Sequence, residues 1–159
     1  VNVFEYRKYK EHEDKIHMII SKYFPYTASM TEQFFNDAEF NEIYLKHYHY
    51  CFLRDTDYNV KGCIAYYLYD EIFEDHPEEA DKYDIDMRNR VYVSLLEVRD
   101  EYRGHNIGFE MIELLQDKFS NKKVCLTAKN DELLHKYYLK DGKFILESGR
   151  ELIYKGNYN

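Results

Sequence analysis

The stretch EVRDEYRGHNIGFEMIELL (residues 97–115) joins two periodic patterns through a glycine-bearing loop. Upstream, RVYVSLLEV (residues 90–98) is β-branched and apolar at both parities, the pattern of a central strand covered on both faces. Downstream, FEMIELLQDKF (residues 109–119) puts Phe109, Ile112, Leu115 and Phe119 on one face, which predicts an amphipathic helix. Strand, loop, then helix is the geometry of an anion site. The first helical N–H groups lack intrahelical acceptors, and the helix dipole adds partial positive charge there. Gly104 and Gly108 allow the backbone to approach a ligand closely, and Arg103 with His105 adds charge. The loop is not a P-loop, because it lacks the Gly-Lys-Ser/Thr ending, and it lacks the G-x-G-x-x-G of a dinucleotide site.

Outward from this stretch, KKVCLTA (122–128) predicts a buried strand. NDELLHKYYLKDG (130–142) predicts a helix with Asn or Asp at its N-cap and Gly142 at its C-terminus. KFILES and ELIYKG (143–148 and 151–156) predict a closing hairpin. Towards the N-terminus, residues 1–9 read as a strand and 11–24 as a helix ended by Pro25. From Thr31 to Leu45 a second helix or a broken pair is expected. Residues 47–71 predict a hairpin whose turn is DTDYN, residues 55–59. The predicted order is β, α, α, β, β, β, α, β, α, β, β. At 159 residues, with no linker, repeat or low-complexity segment, a single domain is expected over residues 1–159.

The net charge of −8 argues against a nucleic-acid partner, which needs clustered Lys and Arg, and permits a cationic one. Nine carboxylates crowd residues 70–86 against the single Lys82. Three cysteines in a mixed chain suggest a reducing compartment. No apolar run reaches the length of a membrane span, and charges from Glu5 onward do not resemble a signal peptide. The expectation is a cytoplasmic protein without a membrane partner.

The run from Leu95 to Leu115 resembles the acetyl-CoA motif of the GNAT (Gcn5-related N-acetyltransferase) superfamily, R/Q-x-x-G-x-G/A between the fourth strand and third helix. Here it reads Arg103-Gly104-His105-Asn106-Ile107-Gly108. A second family motif, Y-x-K-x-G-F, is similar to Tyr138-Leu139-Lys140-Asp141-Gly142-Lys143-Phe144, with one residue inserted before the Phe. The element order fits the family over essentially the whole chain. The resemblance implies an α/β fold, a mixed and largely antiparallel sheet flanked by helices. It also implies an N-acetyltransferase that moves the acetyl group of acetyl-CoA, as cosubstrate, to an amine acceptor in a ternary complex. The N–H groups of Gly104, His105, Asn106, Ile107 and Gly108 would cradle the diphosphate, with Arg103 adding charge. Asn106 replaces the first motif glycine; Asn is, after Gly, the residue that best tolerates left-handed backbone. Its side chain would either clash with a phosphate or donate to it. A backbone N–H of Val98 or Leu96 would polarise the thioester carbonyl, and these groups would pair with the pantetheine arm as an added strand.

Tyr138 matches the family tyrosine and is the candidate general acid; the alternative is a packing role. Tyr137, offset by about 100° on an α-helix, is expected to point elsewhere. Glu97, a carboxylate at the end of an apolar strand, is the candidate general base, directly or through water. The alternative is a pairing with Arg99 on the same strand face. His47, His49 and Cys51 alternate on one predicted strand, but no fourth metal ligand is evident and no metal site is expected. Cys51 and Cys63 lie nearly symmetrically about the predicted turn, as thiols facing across it; Cys125 reads as a core residue. The acidic segment is either a collar for a cationic acceptor or a solvated loop. Asn106 and the inserted Lys143 leave open a second function, a catalytically weak or inactive binding module acting through protein contacts. Dimers are frequent in the family, and a homodimer stays open.

Overall fold

Runs rich in apolar and aromatic residues build β1 (Asn2–Tyr6), β2 (His49–Arg54), β3 (Val60–Leu68), β4 (Arg90–Val98), β5 (Lys123–Thr127), β6 (Phe144–Ser148) and β7 (Glu151–Tyr154). The computed structural model describes residues 2–55 and 59–156. Among these, the strands form one sheet in the order β1-β2-β3-β4-β5-β7-β6. Every neighbouring pair is antiparallel except β4 and β5, which run parallel. This mixed sheet with helices on both faces is the predicted fold class.

One face of the sheet packs under α6 (Ile107–Lys118), where Phe109, Met111, Ile112 and Leu115 join Val91, Val93, Ile64 and Leu126 in one apolar cluster. Ile112 is fully buried, and its truncation to Ala costs about 2–5 kcal/mol by lost burial and a residual cavity. The other face packs under α1 (Glu13–Tyr23), α2 (Pro25–Asn36) and α3 (Ala38–Ile43). The expected stop at Pro25 is observed, with Pro25 itself opening α2. The expected break before Leu45 falls at Asp37, whose side chain accepts the Phe40 N–H at 3.1 Å.

Several spans differ from the sequence reading. The first strand stops at Tyr6, because Lys8 takes φ 64° and its N–H donates to His49 Nδ1 at 3.0 Å. The return strand stops at Leu68, and the acidic segment is not a loop. It folds as α4 (Tyr69–Asp75), α5 (Pro77–Ala80) and a 3₁₀ turn (Ile85–Asn89). Tyr69, Ile72 and Phe73 bury into the sheet and dock the segment. Its carboxylates hold the fold: Glu71 meets His49, Asp75 meets Lys46 and His47, and Asp70 meets Lys122. His47 stands in a 3₁₀ turn ahead of β2, so the His47–His49–Cys51 strand face does not form. Cys51 pairs with Ile64 and Cys63 with Phe52, so the two thiols lie on opposite faces of the hairpin rather than facing each other. Cys125 is buried, as read. Most of the predicted turn at 55–59 lies outside the described residues.

Candidate active site

β4 and β5 pair only from Arg90–Lys123 to Val93–Leu126. On its other edge β5 pairs with β7 from Cys125 to Thr127, and beyond Val93 β4 continues from Ser94 to Val98 with β3 alone. The strands therefore open a wedge. Ser94 is an extra residue in the β3–β4 register, with Ala65 opposite Leu95 and Tyr66 opposite Val93. A bulge of this kind reverses which sheet face each later strand residue meets. Val93 and Leu96 thus share the α6 face with Val98, while Leu95 joins the opposite cluster. The same switch sends Glu97 to the α2 face.

The free edge of β4 has a defined polarity. Arg99 donates its N–H to Lys61 O at 2.9 Å, on the β3 side. Backbone groups alternate along an antiparallel strand, so Leu96 and Val98 direct their N–H groups away from β3 and into the wedge. Val98 O on that edge accepts Arg103 Nε at 3.2 Å, and Arg103 Nη1 pairs with Asp100 at 3.0 Å.

The loop after β4 lies beside this edge. Asn106 adopts φ 60°, ψ 22°, the left-handed conformation that Asn tolerates best after Gly, and its carbonyl accepts Glu110 N at 3.0 Å. It makes no side-chain cap. The helix begins at Ile107, two residues earlier than its apolar periodicity suggested. The N–H groups of Ile107, Gly108 and Phe109 stand ahead of the first intrahelical bond, so the turn carries donors and positive potential. Arg103, Gly104, His105 and Asn106 are exposed around it, and Gly104 takes φ 85°.

Glu97 does not pair with Arg99. Its Oε1 accepts the Thr27 N–H at 2.7 Å and the Thr27 hydroxyl at 2.8 Å, and its Oε2 lies 3.4 Å from Tyr26 N. These are donors of the first turn of α2, which has no side-chain cap of its own. A carboxylate there complements the helix dipole. Arg99 instead lies over the Tyr23 ring at 4.6 Å and donates to Val60 O at 2.9 Å.

The predicted helix over 130–142 opens as read, with Asn130 accepting Leu133 N at 2.8 Å, but α7 (Asp131–Leu133) is only three residues long. A π-helix (Leu134–Tyr138) follows, closed by the bond from Leu139 N to Leu134 O at 2.9 Å. Such wide turns collect at functional sites. Tyr138 is 9 % exposed and meets Phe109, Tyr137 and Phe144 edge-on, and its hydroxyl has no hydrogen-bond partner among the described residues. Burial, then Tyr137 and Tyr26, pushes its phenol above the ordinary value, so it holds its proton at neutral pH. Tyr137 is not turned elsewhere: both rings pack on Phe109, and the Tyr137 hydroxyl lies against Gly108.

A model of the acetyltransferase (GNAT) family matches residues 14–142. The chain belongs to the GNAT acetyltransferase family. GNAT folds of solved structure superpose on it along nearly their full length. Gcn5 of Tetrahymena is 11 % identical with a TM-score of 0.52, covering 96 % of this chain and 94 % of its own. A histone acetyltransferase HPA2-related structure from Corynebacterium glutamicum is 12 % identical with a TM-score of 0.53, covering 98 % and 97 %. An acetyltransferase from Thermus thermophilus is 12 % identical with a TM-score of 0.51, covering 96 % and 94 %. No curated protein matches the sequence.

On the sheet face opposite α6, this GNAT chain has a cleft between the inserted segment and the β6–β7 hairpin. Tyr69, Tyr83, Asp84, Tyr92, Thr127 and Glu151 are among its lining residues. Arg90, 6 % exposed, closes one end by pairing with Glu147 at 2.6 Å and with Asp86 at 3.0 Å. At the other end Tyr92 donates to Thr127 at 3.0 Å, next to the point where β4 and β5 part. Sequence reasoning did not single out Thr27 or Arg90, and it turned Tyr137 the wrong way. None carries a motif, and each matters through a contact more than 25 residues away along the chain. Among the described residues no group of three or more His, Cys, Asp or Glu could hold a metal ion, and no helix is long and apolar enough to cross a membrane.

Proposed function

We propose that the protein is an N-acetyltransferase that moves an acetyl group from acetyl-CoA to a cationic amine acceptor by direct attack. The observation that carries this is the pairing of a strand edge with outward N–H groups at Leu96 and Val98 and a donor-rich turn at the start of α6. The residues fit the coenzyme: an extended amide-bearing arm matches the edge, and a diphosphate matches the turn and Arg103.

In this reading the N–H of Val98 or Leu96 donates to the thioester oxygen as negative charge develops on it. The amine nitrogen attacks the carbonyl carbon, a C–N bond forms and the C–S bond breaks. Tyr138 gives its proton to the departing sulfur. Glu97 takes the amine proton, directly or through water, on Oε2, which accepts only the long 3.4 Å bond from the Tyr26 N–H, whereas Oε1 holds both Thr27 donors. The acceptor approaches from the α2 face through the cleft beside Thr127. Asp84 and Glu151 are its carboxylates without a basic partner among the described residues, since Arg90 neutralises Glu147 and Asp86 and Lys82 is taken by Glu79. Tyr69, Tyr83 and Tyr92 add aromatic faces that favour ammonium groups.

A second reading, a GNAT-fold module without turnover, draws on one observation. The hydrogen bonds of Glu97 to α2 give that carboxylate a structural reason to exist. The two readings separate in one assay. Thiol release from acetyl-CoA, followed with a panel of mono- and polyamines, supports the enzyme if release depends on the amine. Coenzyme binding without release for any amine supports the module.

A further inference from the structure

Tyr137 carries a phenol that the proposed reaction leaves unused. Its ring stacks on Phe109 (centroids 4.5 Å, planes 29° apart) and meets Tyr138 edge-on at 4.9 Å, so its position is fixed from two sides. The hydroxyl rests against Gly108 where a side-chain carbon would stand, and Leu96 Cδ2 lies 3.7 Å from the same point. Gly108 is the second residue of α6, inside the donor-rich turn, and Leu96 is on the free edge of β4. The hydroxyl thus marks the junction between the two surfaces the coenzyme is to occupy. It has no hydrogen-bond partner among the described residues, and burial pushes the phenol up from its ordinary value, which keeps it a donor at neutral pH.

We infer that Tyr137 is a coenzyme-binding residue whose hydroxyl donates to an acceptor oxygen of acetyl-CoA where the molecule passes from the β4 edge to the first turn of α6. This rests on the coenzyme reading given above. The acceptor is either an amide carbonyl of the pantetheine arm or a diphosphate oxygen. The same geometry assigns Gly108 a steric reason: any side chain there collides with the Tyr137 hydroxyl. Without that oxygen the nearest ring atom, Cζ, lies 3.5 Å from the added carbon, an ordinary contact.

The test is calorimetric titration of wild type, Tyr137→Phe, Gly108→Ala and the double variant with coenzyme A and with pantetheine, alongside melting temperatures. Tyr137→Phe is expected to keep its melting temperature and bind coenzyme A about three- to tenfold more weakly, the worth of one hydrogen bond. An equal factor with pantetheine places the contact on the arm; a factor confined to coenzyme A places it on the diphosphate. Gly108→Ala is expected to melt lower, and Gly108→Ala/Tyr137→Phe to recover most of that loss. Unchanged affinity in Tyr137→Phe, with wild type binding normally, overturns the inference. No binding by wild type sinks the coenzyme reading instead, and the role of Tyr137 with it.

Discussion

Glu97 on β4 and Thr27 on α2 are joined twice, from the Thr27 N–H at 2.7 Å and from its hydroxyl at 2.8 Å to one carboxylate oxygen. Thr27 is fully buried and Glu97 is 8 % exposed, so the contact is shielded from water. It ties the sheet's central strand to the start of a helix that has no cap of its own.

Removing this acceptor strands two buried donors. Glu97→Ala is expected to lose about 1–3 kcal/mol in urea unfolding, the cost of unsatisfied buried groups. Glu97→Gln keeps an accepting oxygen and should lose much less. If Glu97 also takes the amine proton, Glu97→Gln lowers kcat about 100-fold while the fold persists. Full turnover in Glu97→Gln would leave Glu97 as an anchor alone.

Tyr138→Phe removes a hydroxyl that holds no partner among the described residues. Its melting temperature is expected to stay close to that of wild type. Thiol release is expected to fall about 100-fold, with coenzyme affinity retained, as for loss of a general acid. Equal turnover in the two proteins would reduce Tyr138 to packing.

The inserted segment is latched by Asp75, whose carboxyl is held down at about 2 by hydrogen bonds from Lys46 and then His47. The folded-state value is below the unfolded one near 4. The latch therefore contributes stability above pH 4, and that contribution is lost as pH falls towards 2. Asp75→Asn is expected to flatten this part of the stability–pH curve. Asp75 is 40 % exposed, so salt should weaken the effect. Parallel curves for variant and wild type between pH 4 and 2 would contradict it.

Asp84 and Glu151 line the cleft through which the proposed acceptor would approach. Neutralising both, as Asp84→Asn/Glu151→Gln, should raise KM more for a polyamine than for a monoamine, roughly three- to tenfold at low salt, and less at high salt. An identical KM ratio in variant and wild type would remove the cleft from acceptor recognition.

The sequence carried the order of the elements because the decisive patterns are local: the doubly apolar β4, the amphipathic run of α6, and Asn130 as an N-cap. Asn106 was legible for the same reason, since backbone preference is a property of the residue itself. The solvated-loop reading of the acidic segment fails because charge density conceals spacing. Tyr69, Ile72 and Phe73 lie on one helical face between the carboxylates, and their burial overrides the solvated appearance of the run. The side Glu97 faces was not legible either. Strict alternation from Val91 sends it towards α6, and only the bulge at Ser94, set by register with β3, turns it to α2. The proximity of Tyr137 to Gly108 depends on a π-turn that replaces the expected α-helix, and no residue pattern in 134–138 announces it.

The central claim is that the first turn of α6 grips the coenzyme's diphosphate beside the open edge of β4. Calorimetry of the full chain with coenzyme A and with pantetheine, which lacks the diphosphate, tests it most directly. Saturable binding of coenzyme A, with pantetheine at least tenfold weaker, is the predicted result. No heat at millimolar coenzyme A, or equal affinity for the two compounds, would contradict it.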